Sequence, residues 1–98
     1  MYLIRDVFKT KPGKAKELVK KFKQCVPIFE KNGEGKNFKI MTDIASTYWT
    51  VVLEFETEDI GKFIASLRSA TASPELMEIM KGYLDLVEGG SREIFILE

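Results

Sequence analysis

The chain has no histidine and a single cysteine, Cys25. Histidine is the side chain most used for acid–base catalysis and for binding zinc or haem iron near neutral pH, so its absence removes the usual ligand. One thiol cannot form an intramolecular disulfide, and it suits a reducing compartment. We therefore expect no metal, haem or other cofactor, and we expect Cys25 to be buried in a helix as a small apolar group.

Long apolar runs are also missing. No stretch approaches the ~18–20 residues that cross a bilayer, and the first six residues lack the basic and apolar segments of a secretion signal. These absences predict a cytoplasmic protein that does not interact with membranes. The length of 98 residues, with 45% hydrophobic and 31% charged residues, is typical of one globular domain covering positions 1–98.

The net charge of zero hides an uneven distribution. Residues 1–39 contain eleven lysines and arginines and four acids, whereas residues 40–98 contain four and eleven. We interpret the lysine-rich face of the first predicted helix, Lys21 included, as solvated surface. An RNA-binding sheet would carry basic and aromatic residues where the third predicted strand carries Glu54 and Glu56. The sequence therefore predicts no nucleic-acid partner.

Apolar periodicity predicts three helices, at 12–32, 58–70 and 74–87. Thr57 is the expected N-cap of the second helix and Ser73 that of the third, and Gly89-Gly90 is expected to end the third. Segments rich in β-branched and aromatic residues predict four strands, at 2–9, 37–44, 48–56 and 92–97. The order βαββααβ is typical of an α+β, ferredoxin-like fold, a four-stranded antiparallel sheet with helices on one face.

Apolar residues in the predicted sheet exceed what one helical layer can cover. In the third strand, Trp49, Val51, Leu53 and Phe55 alternate with polar residues and should lie under the helices. The first and last strands, however, are apolar in both phases. Because large exposed apolar surfaces mark interfaces, we expect a second copy to cover the open face of the sheet. The predicted assembly is a homodimer in which two sheets meet face to face.

Three features carry a family resemblance: the passage Phe8-Lys9-Thr10-Lys11-Pro12-Gly13-Lys14, Trp49, and the runs at 72–76 and 86–93. Together they resemble the dimeric α+β-barrel superfamily, and within it the antibiotic-biosynthesis-monooxygenase and NIPSNAP-like domains. The resemblance implies the fold and the dimer. The superfamily includes cofactor-free oxygenases and haem-degrading enzymes, but the helix histidine and first-strand asparagine of the haem-degrading members are absent from this chain.

The candidate ligand-binding residues are polar groups expected on or near the open sheet face: Arg5, Asn37, Asp43, Tyr48, Thr50 and Glu54. An apolar pocket with a few polar groups is typical of small-ligand sites. An alternative interpretation is that Arg5, Asp43 and Glu54 form ion pairs at the dimer interface. The loop Gly33-Glu34-Gly35-Lys36 is interpreted as a connector.

Two functions are consistent with these residues. The first is a homodimer that binds a small apolar or aromatic molecule without identifiable chemistry. The alternative is a cofactor-free monooxygenase, or a related enzyme, acting on a small aromatic or quinone-like compound. In that enzyme Asp43 or Glu54 would act as the base, Arg5 would stabilise an anion, and Tyr48 or Trp49 would stack on the ring.

Overall fold

A computed structural model of the chain describes residues 1–69 and 73–98. Its elements follow the order β1 (Tyr2–Thr10), α1 (Ala15–Lys31), β2 (Lys36–Thr42), β3 (Thr50–Thr57), α2 (Ile60–Ser69), α3 (Pro74–Met80), a short 3₁₀ helix (Tyr83–Asp85) and β4 (Val87–Ile96). The strands form one antiparallel sheet in the order β2-β3-β1-β4. The predicted ferredoxin-like fold is confirmed, and the expected end of the second helix at Ala70 lies outside the described residues.

Alternation along β1 decides which side of the sheet meets the helices. Ile4 is fully buried and pairs with Phe55 of β3, which is buried as well. This phase of the sheet packs against Leu18 and Phe22 of α1 and Phe63 of α2 to form the core. Arg5 belongs to the opposite phase, so it lies on the open face of the sheet.

The first helix buries the stripe that its sequence predicts, with Leu18, Phe22 and Cys25 inside. It ends as expected at a left-handed glycine: Gly33 has φ +69°, and the next N–H, that of Glu34, donates to the carbonyl of Phe29 at 3.0 Å. Its start differs from the prediction. The helix begins at Ala15 rather than residue 12, because Gly13 adopts φ +80°.

Lys21 corrects the interpretation of the lysine-rich face as wholly solvated. Its side chain is half-buried, and its ammonium donates to the carbonyl oxygens of Ile79 at 2.9 Å and Lys81 at 2.8 Å. These carbonyls lie at the C-terminal end of α3, where a positive charge stabilises the helix. Lys21 therefore links α1 to α3.

The ends of the other two helices also differ from the predictions. Asp59, not Thr57, caps α2, since its carboxylate accepts the N–H of Lys62 at 3.0 Å. Ser73 caps α3 as predicted, accepting from Leu76 N–H at 3.4 Å. The third helix stops at Met80, before Gly82 at φ +83°, and not at residue 87. Consequently the pair Gly89-Gly90 lies within β4 and does not end a helix.

The third strand begins two residues later than predicted. Tyr48 and Trp49 have φ values of 65° and 52°, which a strand cannot accommodate, so β3 starts at Thr50. Trp49 is 43% exposed and, instead of joining the core, lines a groove beside α1 with Ala15 and Val19. The connection from β2 to β3 is closed instead by Asp43, whose carboxylate accepts the Thr50 N–H at 2.8 Å.

Candidate functional site

A cavity of about 420 Å³ lies between the helices and the covered side of the sheet. We call it the helix–sheet cavity. Its walls are dominated by aromatic rings: Phe8, Phe22, Phe29, Phe38, Phe55 and Phe63. A few polar groups join them: Asp6, Cys25, Glu34, Ser66, Tyr83 and Arg92. Concave sites for small molecules usually have this composition, apolar walls with a small number of placed polar groups, and volumes in this range.

Four of the rings form a continuous row contributed by four different elements. The ring centroids of Phe29 and Phe38 are 6.0 Å apart, those of Phe38 and Phe55 4.9 Å, and those of Phe55 and Phe63 5.5 Å. Such contacts stabilise each pair beyond simple burial. The row therefore holds α1, β2, β3 and α2 together and gives the cavity an ordered aromatic wall.

An ion pair lies at the Phe63 end of this row. Asp6 of β1 and Arg92 of β4 are direct cross-strand partners. The Arg92 guanidinium donates two hydrogen bonds to the Asp6 carboxylate, at 2.5 and 3.2 Å, and lies over the Phe63 ring at 5.4 Å from its centroid. Bidentate pairing fixes both side chains and offsets their charges. The pair can orient a polar group of a ligand, and neither member lacks a counter-charge.

Glu34 supplies a second polar group, in the loop after α1. Its Oε2 atom is buried and has no hydrogen-bond partner among the residues that the structure describes. The left-handed turn at Gly33 ends α1 and directs the chain toward β2, which places Glu34 against the cavity. A buried carboxylate oxygen without a donor is costly in free energy, so it is well suited to accept a hydrogen bond from a bound molecule.

Cys25 is not an activated nucleophile. It is almost completely buried on α1, and desolvation raises the pKa of its thiol to about 11, although the nearby ammonium of Lys21 acts in the opposite direction. Only the thiolate attacks electrophiles or binds metals efficiently. At neutral pH the thiol is protonated and serves as apolar packing, as the sequence predicts.

The six candidate residues from the sequence lie in three separate groups away from the helix–sheet cavity. Arg5 and Glu54 pair at 3.2 Å in the middle of the open face. At the β2–β3 connection, Asp43 accepts the Thr50 N–H, and the hydroxyl of Thr50 donates to the carbonyl of Tyr48 at 3.3 Å. Asn37 donates to Glu56 at 2.9 Å at the far end of these strands. A ligand-binding role for these six residues stays a prediction.

This arrangement bears on the enzymatic alternative. The carboxylates proposed as bases, Asp43 and Glu54, belong to different groups, and each already accepts a hydrogen bond within the fold. Tyr48 and Trp49 lie in the exposed connection before β3. Asp43, Tyr48 and Trp49 line one groove beside α1. Arg5 and Glu54 pair on the open face, so the five residues do not form one catalytic cluster.

Sequence reasoning missed Asp6, Arg92 and Glu34. A signal for Asp6 was available, because it shares the inward phase of β1 with Ile4 and Phe8 and is the charged member of that set. Arg92 was expected at the start of its strand, where its partner across β1 was not defined. Glu34 gave no signal in a glycine-rich loop.

None of the helices in the described part of the chain is long and apolar enough to cross a membrane. Within residues 1–69 and 73–98, no three acidic or thiol side chains are grouped so that they would hold a metal ion.

Comparisons with known proteins relate the chain to others by fold. No protein-family model and no curated protein matches the sequence significantly. An uncharacterized NIPSNAP domain protein from Burkholderia xenovorans superposes with a TM-score of 0.82 at 15% identity, over 100% of this chain and 95% of that one. A NIPSNAP family protein of unknown function from Agrobacterium tumefaciens gives 0.80 at 14%, over 97% and 86%. An antibiotic-biosynthesis-monooxygenase-like protein from Chloroflexus aurantiacus gives 0.71 at 8%, over 99% and 92%.

These likenesses confirm the resemblance that the sequence carries, at the level of the fold. Each covers nearly the whole chain, and the two NIPSNAP proteins superpose more closely than the monooxygenase-like protein. Identities of 8–15% carry no activity from those proteins to this one. The chain thus has the ferredoxin-like α+β fold that is shared by NIPSNAP-like and antibiotic-biosynthesis-monooxygenase-like proteins.

Proposed function

We propose that the protein is a homodimer that binds a small apolar or aromatic molecule in the helix–sheet cavity of each subunit. The observation that carries this proposal is the cavity itself, about 420 Å³ in volume and walled by six phenylalanine rings. Burial of an apolar ligand against apolar walls is favourable by roughly 25 cal/mol of free energy per Å² of surface removed from water. The Asp6–Arg92 pair and Glu34 supply the few polar groups that orient such a ligand.

The dimer is part of the same proposal. The open face carries apolar side chains that none of the described helices covers, among them Val7, Val52 and Met41. A second copy packed on this face would remove them from water and leave the cavity, on the other side of the sheet, free for ligand. A cytoplasmic location is also proposed, since the single thiol suits a reducing compartment.

Binding of N-phenyl-1-naphthylamine, a neutral aromatic probe, tests the ligand site. Met77 is 56% exposed and lies at the rim of the cavity, so Met77→Trp should fill the entrance without disturbing the core. We expect the variant to weaken probe binding about tenfold or more in equilibrium dialysis, a loss of about 1.4 kcal/mol. Ile44→Trp, at an exposed position in the β2–β3 connection and outside the lining of this cavity, is the matched control. Equal binding by both variants would exclude the helix–sheet cavity as the site.

Measurement of oxygen uptake distinguishes the enzymatic alternative from binding without chemistry. The buried Oε2 of Glu34 favours it in one respect, since a carboxylate at an aromatic cavity can accept the proton of a bound aryl hydroxyl. With 1-naphthol as the probe, the binding function predicts no oxygen consumption above the rate without protein. Uptake that is lost in Glu34→Gln would instead support a cofactor-free monooxygenase.

A further inference from the structure

We propose that the helix–sheet cavity selects aromatic molecules that carry an ammonium group, and that this group pairs with the carboxylate of Glu34. The inference rests on the proposed function, because it names the class of ligand for the same cavity. It follows from three observations: the charges on the cavity wall, the unpartnered oxygen of Glu34, and the rings beside it.

The charges on the wall do not cancel. Within residues 1–69 and 73–98, the side chains with a formal charge that line the cavity are those of Asp6, Glu34 and Arg92. Arg92 neutralises Asp6 through two hydrogen bonds. The Glu34 carboxylate has no such partner among the residues that the structure describes, so this part of the wall retains one negative charge.

An ammonium group satisfies both needs of this carboxylate. Its N–H groups supply the hydrogen-bond donor that Oε2 lacks within the described residues, and its charge compensates the carboxylate. An anionic ligand would be repelled, and a neutral apolar ligand would leave Oε2 buried without a donor. Lys62 of α2 brings its ammonium to 3.8 Å from the place that a Cβ on Gly33 would occupy. Lys62 is an exposed residue outside the cavity lining, so its charge stays hydrated.

Glu34 and the four rings of the aromatic row line the same cavity, so one ligand can contact both. The backbone N–H of Glu34 donates to the backbone carbonyl of Phe29, whose side chain is the first ring of the row. The following residue, Gly35, lies so close to the row that a Cβ there would be 2.7 Å from Phe55 and 3.1 Å from Phe38. A molecule that pairs with Glu34 therefore lies in a cavity walled by aromatic rings, and such rings attract cations as well as apolar groups.

A matched series of naphthalenes tests the inference on the full chain. The probes are 1-naphthylmethylammonium, the neutral 1-ethylnaphthalene of similar shape, and the anionic 1-naphthylacetate, each used to displace N-phenyl-1-naphthylamine. We expect the ammonium probe to displace it at a concentration at least about tenfold below that of 1-ethylnaphthalene, with the anion weakest. Glu34→Gln should abolish this preference and leave the affinity for 1-ethylnaphthalene unchanged. Glu30→Gln removes the same charge from an exposed position on α1 and should keep the preference.

The outcomes separate this inference from the proposed function. Equal affinity of the wild-type protein for the ammonium and neutral probes, or an ammonium preference that survives in Glu34→Gln, would overturn the inference while leaving an apolar binding cavity. Failure of all three naphthalenes to displace the reporter would overturn the proposed function itself. The wild-type preference is measured without any variant, so it decides the question even if Glu34→Gln does not fold.

Discussion

Phe22 shows how a single side chain supports this fold. It lies at the middle of the buried stripe of α1, is 4% exposed, and its ring centroid is 5.0 Å from that of Phe8 on β1. Phe22→Ala removes this helix-to-sheet contact and enlarges an existing cavity, so we expect it to lower the free energy of unfolding by ~3–5 kcal/mol. The change would be measured as a shift of the urea midpoint at constant slope.

The matched control for Phe22 is a lysine of the same helix that faces water. Lys21, next in sequence, does not serve, because its ammonium binds the carbonyl oxygens at the end of α3. Lys20 is exposed, and Lys20→Ala should change stability by no more than ~0.5 kcal/mol. Equal midpoint shifts for the alanine variants of Phe22 and Lys20 would contradict the assigned face of α1.

Cys25 gives the protein a defined dependence on alkaline pH. Burial raises the pKa of its thiol from 9.0 to about 11, so the unfolded chain loses this proton before the folded chain does. The thiol's contribution to stability is complete below pH 9 and is lost as the pH rises through 11. We expect the stability difference between wild type and Cys25→Ala to shrink by about 2 kcal/mol between pH 8 and pH 11. Urea unfolding of both proteins measures this, and a difference that stays constant with pH would show that the thiol titrates normally.

At the scale of elements, β4 depends on one glycine. A Cβ on Gly90 would overlap the carbonyl oxygen of Val7 and lie 3.3 Å from the Cα of Phe8. Gly90→Ala should therefore push β4 from β1 and destabilise the fold by ~1–3 kcal/mol. Gly89 has open space around the corresponding position, so Gly89→Ala is expected to change stability by no more than ~0.5 kcal/mol. Thermal unfolding measures the stability of both variants. Equal losses of stability would show that the effect comes from reduced backbone flexibility and not from the close approach of Gly90 to Val7.

Local chemistry explains which elements could be predicted from the sequence. The buried face of α1 and the Ser73 cap depend on spacing within a few residues, and both were predicted. Because glycine disfavours helices, the sequence predicts a helix stop at Gly89-Gly90, yet the close approach of the neighbouring strand requires glycine at position 90. That requirement comes from a residue more than eighty positions away in sequence, and periodicity carries no information about it.

The candidate site was harder to predict for the same reason. The polar residues of the open face follow from alternation, and Arg5 and Glu54 do pair there. The helix–sheet cavity, in contrast, exists because α1, α2 and α3 pack around a gap, and a packing defect has no sequence pattern. Asp6 was the accessible signal, since a charge in an inward phase needs a partner, and Arg92 provides it.

At the scale of the whole molecule, the open face combines alternating charge with uncovered apolar surface. A single row across the four strands reads Lys39, Glu54, Arg5 and Glu93, each opposite its neighbour in the register. Four consecutive apolar residues at the end of β4 and just after it are exposed, on both sides of the strand. Their exposed fractions are 44% for Ile94, 43% for Phe95, 66% for Ile96 and 42% for Leu97. An apolar edge strand in water promotes association, so this surface favours a specific partner over a monomer.

We therefore predict a homodimer that buries ~1,600 Å² or more in total. Sedimentation equilibrium should give twice the chain mass of 11.2 kDa. Val52 lies beside Val7 and Met41 on the open face, so Val52→Asp should place an unpaired charge in the interface and shift the protein to monomers. Gln24→Asp adds the same charge on the exposed side of α1 and should leave the dimer intact. A wild-type mass of one chain at every concentration would exclude the dimer, whereas a Val52→Asp protein that stays dimeric would move the interface away from the open face.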